Sequence, residues 1–578
     1  MLVSPNFLLQ NYKTNNRKTL FDIIAICASD SDQALGYKIL GEQKFKDKLR
    51  IYSDPPGPKI GNGGALLHCL NQLRLEFGIN KLSKLRILFI PAGGMSQRSP
   101  WLSALGKLFA VMPTVSAGCL DMLDIVTALS EPFAQFAANA GVGCCFLACS
   151  DALLPYEFDS ISLISNSTCS RRLAESDIVA LAHPTVDLSL ATGHGVYCVD
   201  VDQGELSNQE DYRCSSNSFT VLDCSRVLQK PTIAEMRSAS GLIDSTDGSI
   251  LIDSNFWLNG HFIEALLAWR DANESSMAGV ELDAYGDLLR GLGRDAHLDD
   301  YVNEIRNLTR PPSPSTAARL AQLRTSLFEL LKGRQLKLCR IERSALVHIG
   351  STKEYLNNLF QPIELARCFS TAAAPDSGPI LVTNSRINIA NGLEISSNGT
   401  GSALEFCEIS ARSCRIGSGC LLSHCRCREP EAELVIPDGW VLQTVPLLAG
   451  AGQVTWAWHS DDNPKQRSLS EAKFLGRPLV EFFHRHGLPL DEAEWSGSGS
   501  LWTARLFPCD RTWTAAVGGH GQRDQSLLTT LKLLRWSGES WRLADWLAEK
   551  PEERRLVSMA DIAMEKDIRA LIEFRMTF

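Results

Sequence analysis

The sequence predicts an α/β protein in three parts: a doubly wound sheet over residues 1–360, a short parallel β-helix over 361–435, and a tryptophan-rich α+β region over 436–578. Three observations carry this. Through the first ~345 residues, short apolar β-branched runs alternate with helical stretches, the pattern of a mostly parallel sheet with its ligand loops at the strands' carboxyl ends. From about 370 to 435 helical periodicity stops, and apolar residues recur six apart in a Ser/Asn/Gly/Cys-rich background, Ile389 to Ile395 and Ile416 to Leu422. Residues 436–578 then hold nine of the twelve tryptophans.

The elements follow in chain order. Residues 21–28, Phe-Asp-Ile-Ile-Ala-Ile-Cys-Ala, read as a buried parallel strand. Residues 65–73 form a helical stretch, and 85–91 a second strand that runs straight into Gly93-Gly94. A third apolar run, 143–150, ends at Asp151. Residues 347–356 read as a strand, a glycine and a Ser/Thr-x-x-Glu cap opening a short helix. The irregular six-residue period of 370–435 fits a stacked parallel coil, with a β-sandwich as the plainer alternative. Helical patterns at 470–486, 525–536 and 559–575 close the chain. Its tryptophans suit packing better than sugar stacking.

Composition narrows the function. The chain has 578 residues, 57 Lys+Arg against 66 Asp+Glu, and a net charge of −9 with no basic tract, which disfavours nucleic acid as a partner. No window of 18 apolar residues exists, so no membrane span is expected. The N-terminus lacks the charged and apolar regions of a signal peptide. The 18 cysteines are scattered without a CxxC pair, as reduced buried thiols of a cytoplasmic protein would be.

The sharpest chemistry lies at 87–107. A buried strand leads into Gly93, Gly94, Ser96 and Arg98, with Lys107 nine residues on. Glycines let backbone N–H groups approach anionic oxygens, the guanidinium offers a planar fork, and the lysine a mobile charge. That suits a polyphosphate, and the spacing is not that of a P-loop. The competing reading is a tight turn with two solvated cations. A second glycine loop, 54–64, carries Lys59, Gly61, Asn62, Gly63 and Gly64 and opens a helix, a nest for an anion or a base. Asp151 at a strand end suits Mg²⁺ bridging phosphates, or a helix N-cap. Lys230 before Pro231 suits a sugar phosphate, or is a surface lysine. Asp283, Tyr285 and Asp287 could hold sugar hydroxyls or a metal, or form a solvated helix face. Gly193 and His194 precede a strand and suit a phosphate, or a structural turn.

Together these pieces resemble the sugar-1-phosphate nucleotidyltransferases: a glycine loop with Arg and Lys, a strand-end Asp, a Lys-Pro pair, and the turn His348-Ile-Gly-Ser351 before a left-handed β-helix. Longer motifs resemble the fucose-1-phosphate guanylyltransferase family, also called GDP-L-fucose pyrophosphorylases. They are 54–64, 93–98, 103–107, Ala182-His183-Pro184, 193–195, 283–287, 461–465 and 501–508, and the likeness runs from about residue 20 to 575. Two features depart from the family pattern, Pro91-Ala92-Gly93 in place of the usual Ser-Gly-Gly lead-in and the varied loop at Met95 and Ser99-Pro100-Trp101, and Gln229 replaces the Glu of the wider group's Glu-Lys-Pro.

The resemblance implies a Rossmann-like, GT-A-type nucleotidyltransferase domain that makes GDP-fucose and pyrophosphate from GTP and fucose 1-phosphate, with Mg²⁺, in the cytosolic salvage of fucose. It implies catalytic roles for Arg98, Lys107 and Lys230, and nucleotide contacts for Lys59, Gly61–Gly64, Gly93, Gly94 and Ser96. His183, Gly193, His194, Tyr285 and Asp287 fall to the substrate, and Asp151 and Asp283 to the metal. No sugar-kinase phosphate loop follows, so no kinase activity is expected. The alternatives are a non-catalytic sugar-nucleotide-binding subunit, which usually lacks the loop Arg or Lys, or a pyrophosphorylase for another sugar 1-phosphate. Guanine needs an acceptor for its N1 and N2 hydrogens, and no residue is singled out for that task. The oligomeric state is left open.

Overall fold

The computed structural model describes residues 2–115, 118–159, 168–199, 219–243, 248–304, 308, 312–361, 380–396, 400–448, 451–490, 495, 499–513, 525–534 and 542–578. The protein is mixed α/β. It separates into two compact units, Met1–Gly94 with Leu120–Val347, and Met95–Cys119 with His348–Phe578.

In the first unit, β1 (Ile23–Ala28), β2 (Leu49–Ser53), β3 (Arg86–Pro91) and β4 (Cys144–Leu147) lie side by side in the order β2-β1-β3-β4, all parallel. Every residue of β1 and β4 is buried, which is why these strands read as continuous apolar runs. Helices α1 (Gly61–Phe77) and α2 (Met122–Ala140) lie in the connections between these strands.

The remaining strands depart from an open sheet. They are β5 (Ile178–Thr185), β6 (Gly195–Val199), β7 (Phe219–Gln229), β8 (Ile250–Asn259) and β9 (Leu336–Ile341). From β4 the order runs β8-β6-β7-β9-β5, and β5 pairs back onto β8, Ile178 opposite Leu258 through Thr185 opposite Ile250. Five strands thus close into a barrel. All their pairings but β5–β9 are antiparallel. Long twisted antiparallel strands curl until their edges meet, and closure satisfies both edges. β8 carries a bulge: Ala180 faces Phe256 and Ala182 faces Asp253, so Ser254 and Asn255 together oppose Leu181.

In the second unit, nine short strands form three turns of chain: β10 (Ile380–Thr383), β11 (Arg386–Ile389) and β12 (Leu393–Ile395); β13 (Ser402–Glu405), β14 (Glu408–Ala411) and β15 (Ser413–Ile416); β16 (Leu421–Ser423), β17 (Arg426–Arg428) and β18 (Glu433–Ile436). Each strand pairs in parallel with its counterpart one turn on, giving three ladders. Asn384, Phe406 and His424 each follow the first strand of their turn with φ of 44°, 51° and 55°, so one left-handed corner repeats through the stack. β19 (Trp440–Pro446) continues the first ladder, and β20 (Gln453–His459), β21 (Phe507–Asp510) and β22 (Arg554–Val557) extend it antiparallel. Trp456 and Trp458 are fully enclosed here, and Trp456 Nε1 donates to Gln443 Oε1 at 2.9 Å; these tryptophans are packing.

Met95–Cys119 folds with the second unit through specific bonds. Gln443 Nε2 donates to Trp101 O (3.1 Å), Tyr355 Oη to Val111 O (2.6 Å) and Arg575 Nη2 to Phe109 O (2.8 Å). The cap at Ser351 forms as predicted, reciprocally with Glu354, and opens the helix Thr352–Phe360. The helix foreseen over 470–486 begins only at Leu479, because Lys473–Phe474 and Arg477–Pro478 form a hairpin around Leu475 and Gly476, both at positive φ. The pattern at 559–575 splits into Met559–Glu565 and Ile568–Arg575, with Asp567 capping the second. The helix foreseen over 525–536 is Gln525–Leu533, and its last two predicted residues lie outside the described ones. No described helix is long and apolar enough to cross a membrane.

Three histidines are buried and held neutral by desolvation: His183 is pushed down to about 3, His486 to about 4, and His424 well below the usual range. The unfolded chain takes up protons at these sites from about pH 6.5 downward, and the folded chain does not. Stability is therefore full above about pH 6.5 and falls as pH drops. Each histidine contributes up to ~1.4 kcal/mol per pH unit until its folded-state pKa is reached. Urea midpoints measured from pH 7.5 to pH 5 should fall steadily; a flat profile would refute the neutral burial.

Candidate active site

From β1 the chain moves outward to β2 on one side and returns to β3 on the other, so a crevice opens at the carboxyl ends of β1 and β3. Gly93 follows β3 there. An atom at its Cβ position would lie 3.4 Å from Ser29 N, after β1, and 3.6 Å from Asp54 Oδ2, after β2. Three loops therefore converge on a residue without a side chain. Tyr37 Oη donates to Ala92 O and Ser150 Oγ to Pro91 O, both at 3.0 Å, fixing the lead-in. Gly94 has φ +93°, a conformation that favours glycine. The chain passes into the second unit at this point, so Ser96, Arg98 and Lys107 belong there. Ser96 has φ 44° and its hydroxyl is buried without a hydrogen-bond partner among the described residues. Arg98 is exposed, and half-buried Lys107 opens the 3₁₀ turn Lys107–Phe109.

The second glycine loop packs against Leu282–Ala284. Gly63 N and Gly64 N both donate to Leu282 O, at 2.9 and 3.4 Å, and Asn62 Oδ1 accepts from Ala284 N at 2.7 Å. A Cβ on Gly61 would meet Leu282 O at 2.2 Å, so the glycines there permit a close crossing of two backbones. Lys59 is exposed at the rim.

The segment 283–287 is an ordered turn, not a solvated helix face. Asp283 Oδ1 accepts from Tyr285 N (3.0 Å) and Gly286 N (2.6 Å), capping the π-helical turn Ala284–Leu289. Asp287 is 1% exposed: Oδ2 accepts from Asp283 N at 2.6 Å, and Oδ1 from Arg324 Nε at 2.8 Å. Tyr285 Oη lies 3.0 Å from Cys149 Sγ, and Cys149 N donates to Asn255 Oδ1 at 3.2 Å. This ties the turn to the loop after β4. Asp151 ends that loop and is followed by the strand Ala152–Leu153, so no helix is there for it to cap.

Lys230, at φ 47°, follows β7 and donates its amide to His194 O at 2.9 Å. His194 Nδ1 lies 3.5 Å from Asp253 Oδ1. A Cβ on Gly195 would sit 2.3 Å from Asp253 Oδ2, so a bare backbone is needed beside this carboxylate. Gly193 precedes it in the turn, its amide on Leu190 O at 3.1 Å. Desolvation raises the pKa of Asp253, while His194 and Lys230 pull it back. Desolvation likewise pushes Asp283 up to about 6, against its backbone donors and Lys230. Lys230 thus acts on two partly desolvated carboxylates at once. His183 lies deeper in the barrel, with Nδ1 2.6 Å from Ser344 Oγ and Nε2 2.7 Å from Ser254 Oγ.

Asp253, Asn255 and Arg324 were not anticipated as site residues. A polar triplet, 253–255, inside an otherwise apolar buried strand is the available signal for the first two. For Arg324 it is a charge on the buried stripe Leu320, Leu323, Leu327, Leu331 of the helix Pro314–Leu331.

Among the described residues no three His, Cys, Asp or Glu side chains gather into a metal cluster. Magnesium held by one or two carboxylates and substrate phosphates needs none. Asp283 keeps an oxygen that is not engaged by the turn's amides.

A family match and two relatives aligned over nearly their full length place the chain among mixed α/β enzymes of the nucleotidyltransferase type. The chain belongs to the fucose pyrophosphorylase family, whose domain matches residues 79–512. It is 27% identical to human fucose-1-phosphate guanylyltransferase, covering 97% of this chain and 90% of that protein. It is 26% identical to the mouse fucose-1-phosphate guanylyltransferase, covering 96% and 92%. A bifunctional fucokinase/GDP-fucose pyrophosphorylase of Arabidopsis thaliana is 22% identical over 85% of this chain but only 47% of that protein.

Proposed function

We propose that this enzyme converts GTP and fucose 1-phosphate into GDP-L-fucose and pyrophosphate, in the salvage of fucose. The carrying observation is the likeness to two fucose-1-phosphate guanylyltransferases over nearly the whole of each chain. The fold is read as a GT-A-type domain in the first unit, supported by its four-stranded parallel sheet, and a left-handed β-helix in the second, supported by its three stacked parallel ladders. A cytosolic location suits the 15 cysteines whose side chains are described, all of them free thiols.

A phosphate oxygen of the sugar attacks the α-phosphorus of GTP, and pyrophosphate leaves. One bond forms as one breaks, so catalysis is positioning and charge neutralisation. Arg98 and Lys107 take the triphosphate and the departing pyrophosphate. Gly93, Gly94 and Ser96 give it close backbone and hydroxyl contacts. Lys230 steers the sugar phosphate, with His194 beside it and Asp253 orienting that imidazole. Lys59, Gly61 and Asn62 flank the nucleotide, and Gly63 and Gly64 hold their loop against Leu282. Magnesium, held by Asp151 and Asp283, would neutralise charge on the phosphates.

Pyrophosphate release should require fucose 1-phosphate and proceed with GTP but not ATP or UTP. Asp151→Asn should shift the Mg²⁺ titration to higher concentration; an unchanged titration would remove Asp151 from the metal. Release with none of the nucleotides, from folded protein that binds GDP-fucose, would mean a non-catalytic binding subunit.

A further inference from the structure

Asp54 follows β2 at the mouth of the crevice. Its amide extends the β1–β2 pairing by donating to Ala28 O at 2.8 Å. Its carboxylate faces the loop after β3, where the missing side chain of Gly93 leaves Oδ2 uncovered. The group is half-buried, yet its one hydrogen bond among the described residues comes from the Cys27 thiol, a weak donor, to Oδ1 at 3.1 Å. Desolvation raises its pKa, and the thiol and the nearby charge of Lys59 offset this only in part. A carboxylate has room for about four donors. One that is partly desolvated with a single weak protein donor has acceptor capacity left over for a ligand that brings its own N–H groups.

We infer that Asp54 reads the guanine base, its two oxygens accepting the N1–H and the 2-amino N–H of GTP. The inference rests on the proposed guanylyl transfer and names the acceptor that reaction needs. Guanine presents two adjacent donors on one edge, matched to the two oxygens of a carboxylate. Adenine and cytosine place a ring-nitrogen acceptor beside their amino group, and uracil flanks its single N–H with carbonyls. Each would set a lone pair against the carboxylate, so the same group that attracts guanine repels the other bases. The chief rival for a strand-end carboxylate is the ribose, whose hydroxyls such groups bind in dinucleotide folds.

The test compares GTP, ITP, 2′-deoxy-GTP and XTP in pyrophosphate release by the wild type and by Asp54→Asn. ITP lacks the 2-amino group, and losing a hydrogen bond to a charged group should lower wild-type kcat/KM by about 10²-fold, with 2′-deoxy-GTP little affected. In Asp54→Asn the amide oxygen still accepts N1–H, but its NH₂ faces the 2-amino group. GTP use should fall about 10²-fold, while XTP, with a carbonyl at C2, gains a matched donor, so the preference reverses. A merely structural role for Asp54 would not produce that reversal.

Equal use of ITP and GTP by the wild type would overturn the inference, and failure of 2′-deoxy-GTP alone would move Asp54 to the ribose. A folded Asp54→Asn that still prefers GTP to XTP would also overturn it. If that variant does not fold, the wild-type ratio of ITP to GTP decides. No turnover of GTP by the wild type would overturn the proposed function, and the inference with it.

Discussion

Arg98→Ala should lower kcat with GTP and fucose 1-phosphate by about 10²–10³, the scale set by loss of one preorganised donor to developing charge. Pyrophosphate departs carrying negative charge that GTP held less locally, so a cation placed for the product side acts on the transition state more than on bound substrate. KM should therefore move less than kcat. Arg98→Lys should recover part of the loss, because an ammonium supplies charge without the planar fork. Arg98 is exposed, so the variant should melt with the wild type, which separates catalysis from folding. Comparable kcat in Arg98→Ala and wild type would end the assignment.

Arg324→Ala should cost about 3–5 kcal/mol of stability, the usual range for removing one partner of a buried ion pair. Arg324 is 0% and Asp287 1% exposed. Besides Asp287, Arg324 Nη1 donates to Glu304 O at 2.9 Å and Val302 O at 3.3 Å. Without the guanidinium, Asp287 is left charged in the core, or takes up a proton, while still accepting from Asp283 N. The turn that holds Asp283 and Tyr285 loosens with it, so activity should fall beyond the loss of folded protein. Arg290 does not substitute: it is committed to Glu304 and Tyr301 O. Asp287→Asn should also be costly, because it leaves Arg324 as an unpaired buried cation and turns an NH₂ toward either Asp283 N–H or the guanidinium, both of which are donors. A denaturation midpoint for Arg324→Ala within error of wild type would show that the pair contributes nothing.

Local pattern located much of this architecture. The apolar runs at β1, β3 and β4 are strands because both faces are covered, and continuous β-branched sequence records that. The capping box at Ser351 and Glu354 lies within four residues, so its geometry is legible in four residues. Gly93-Gly94 marked a backbone exposed to other loops, and the structure brings Ser29 and Asp54 to it. The helix expected at 470–486 failed in its first half because Leu475-Gly476 can turn a hairpin, and helical periodicity does not register that competition.

What the sequence determined by itself is the strands of the parallel half, the capped helix at Ser351, the place of the glycine loops and strand-end charges, and the family. Each of these is written within a few residues or in long motifs. Tertiary structure alone decided which groups meet. Barrel closure depends on the register of β5 against β8, strands more than 60 residues apart. The amides of Gly63 and Gly64 go to Leu282, Asp287 to Arg324, and His194 to Asp253, each partner lying far along the chain. Asp54 looks like any turn residue until β1 and β3 bring Cys27 and Gly93 beside it. Periodicity and turn chemistry report how a segment folds locally; a buried charge or an uncovered acceptor is defined by its neighbours, and those are chosen only when the strands pair.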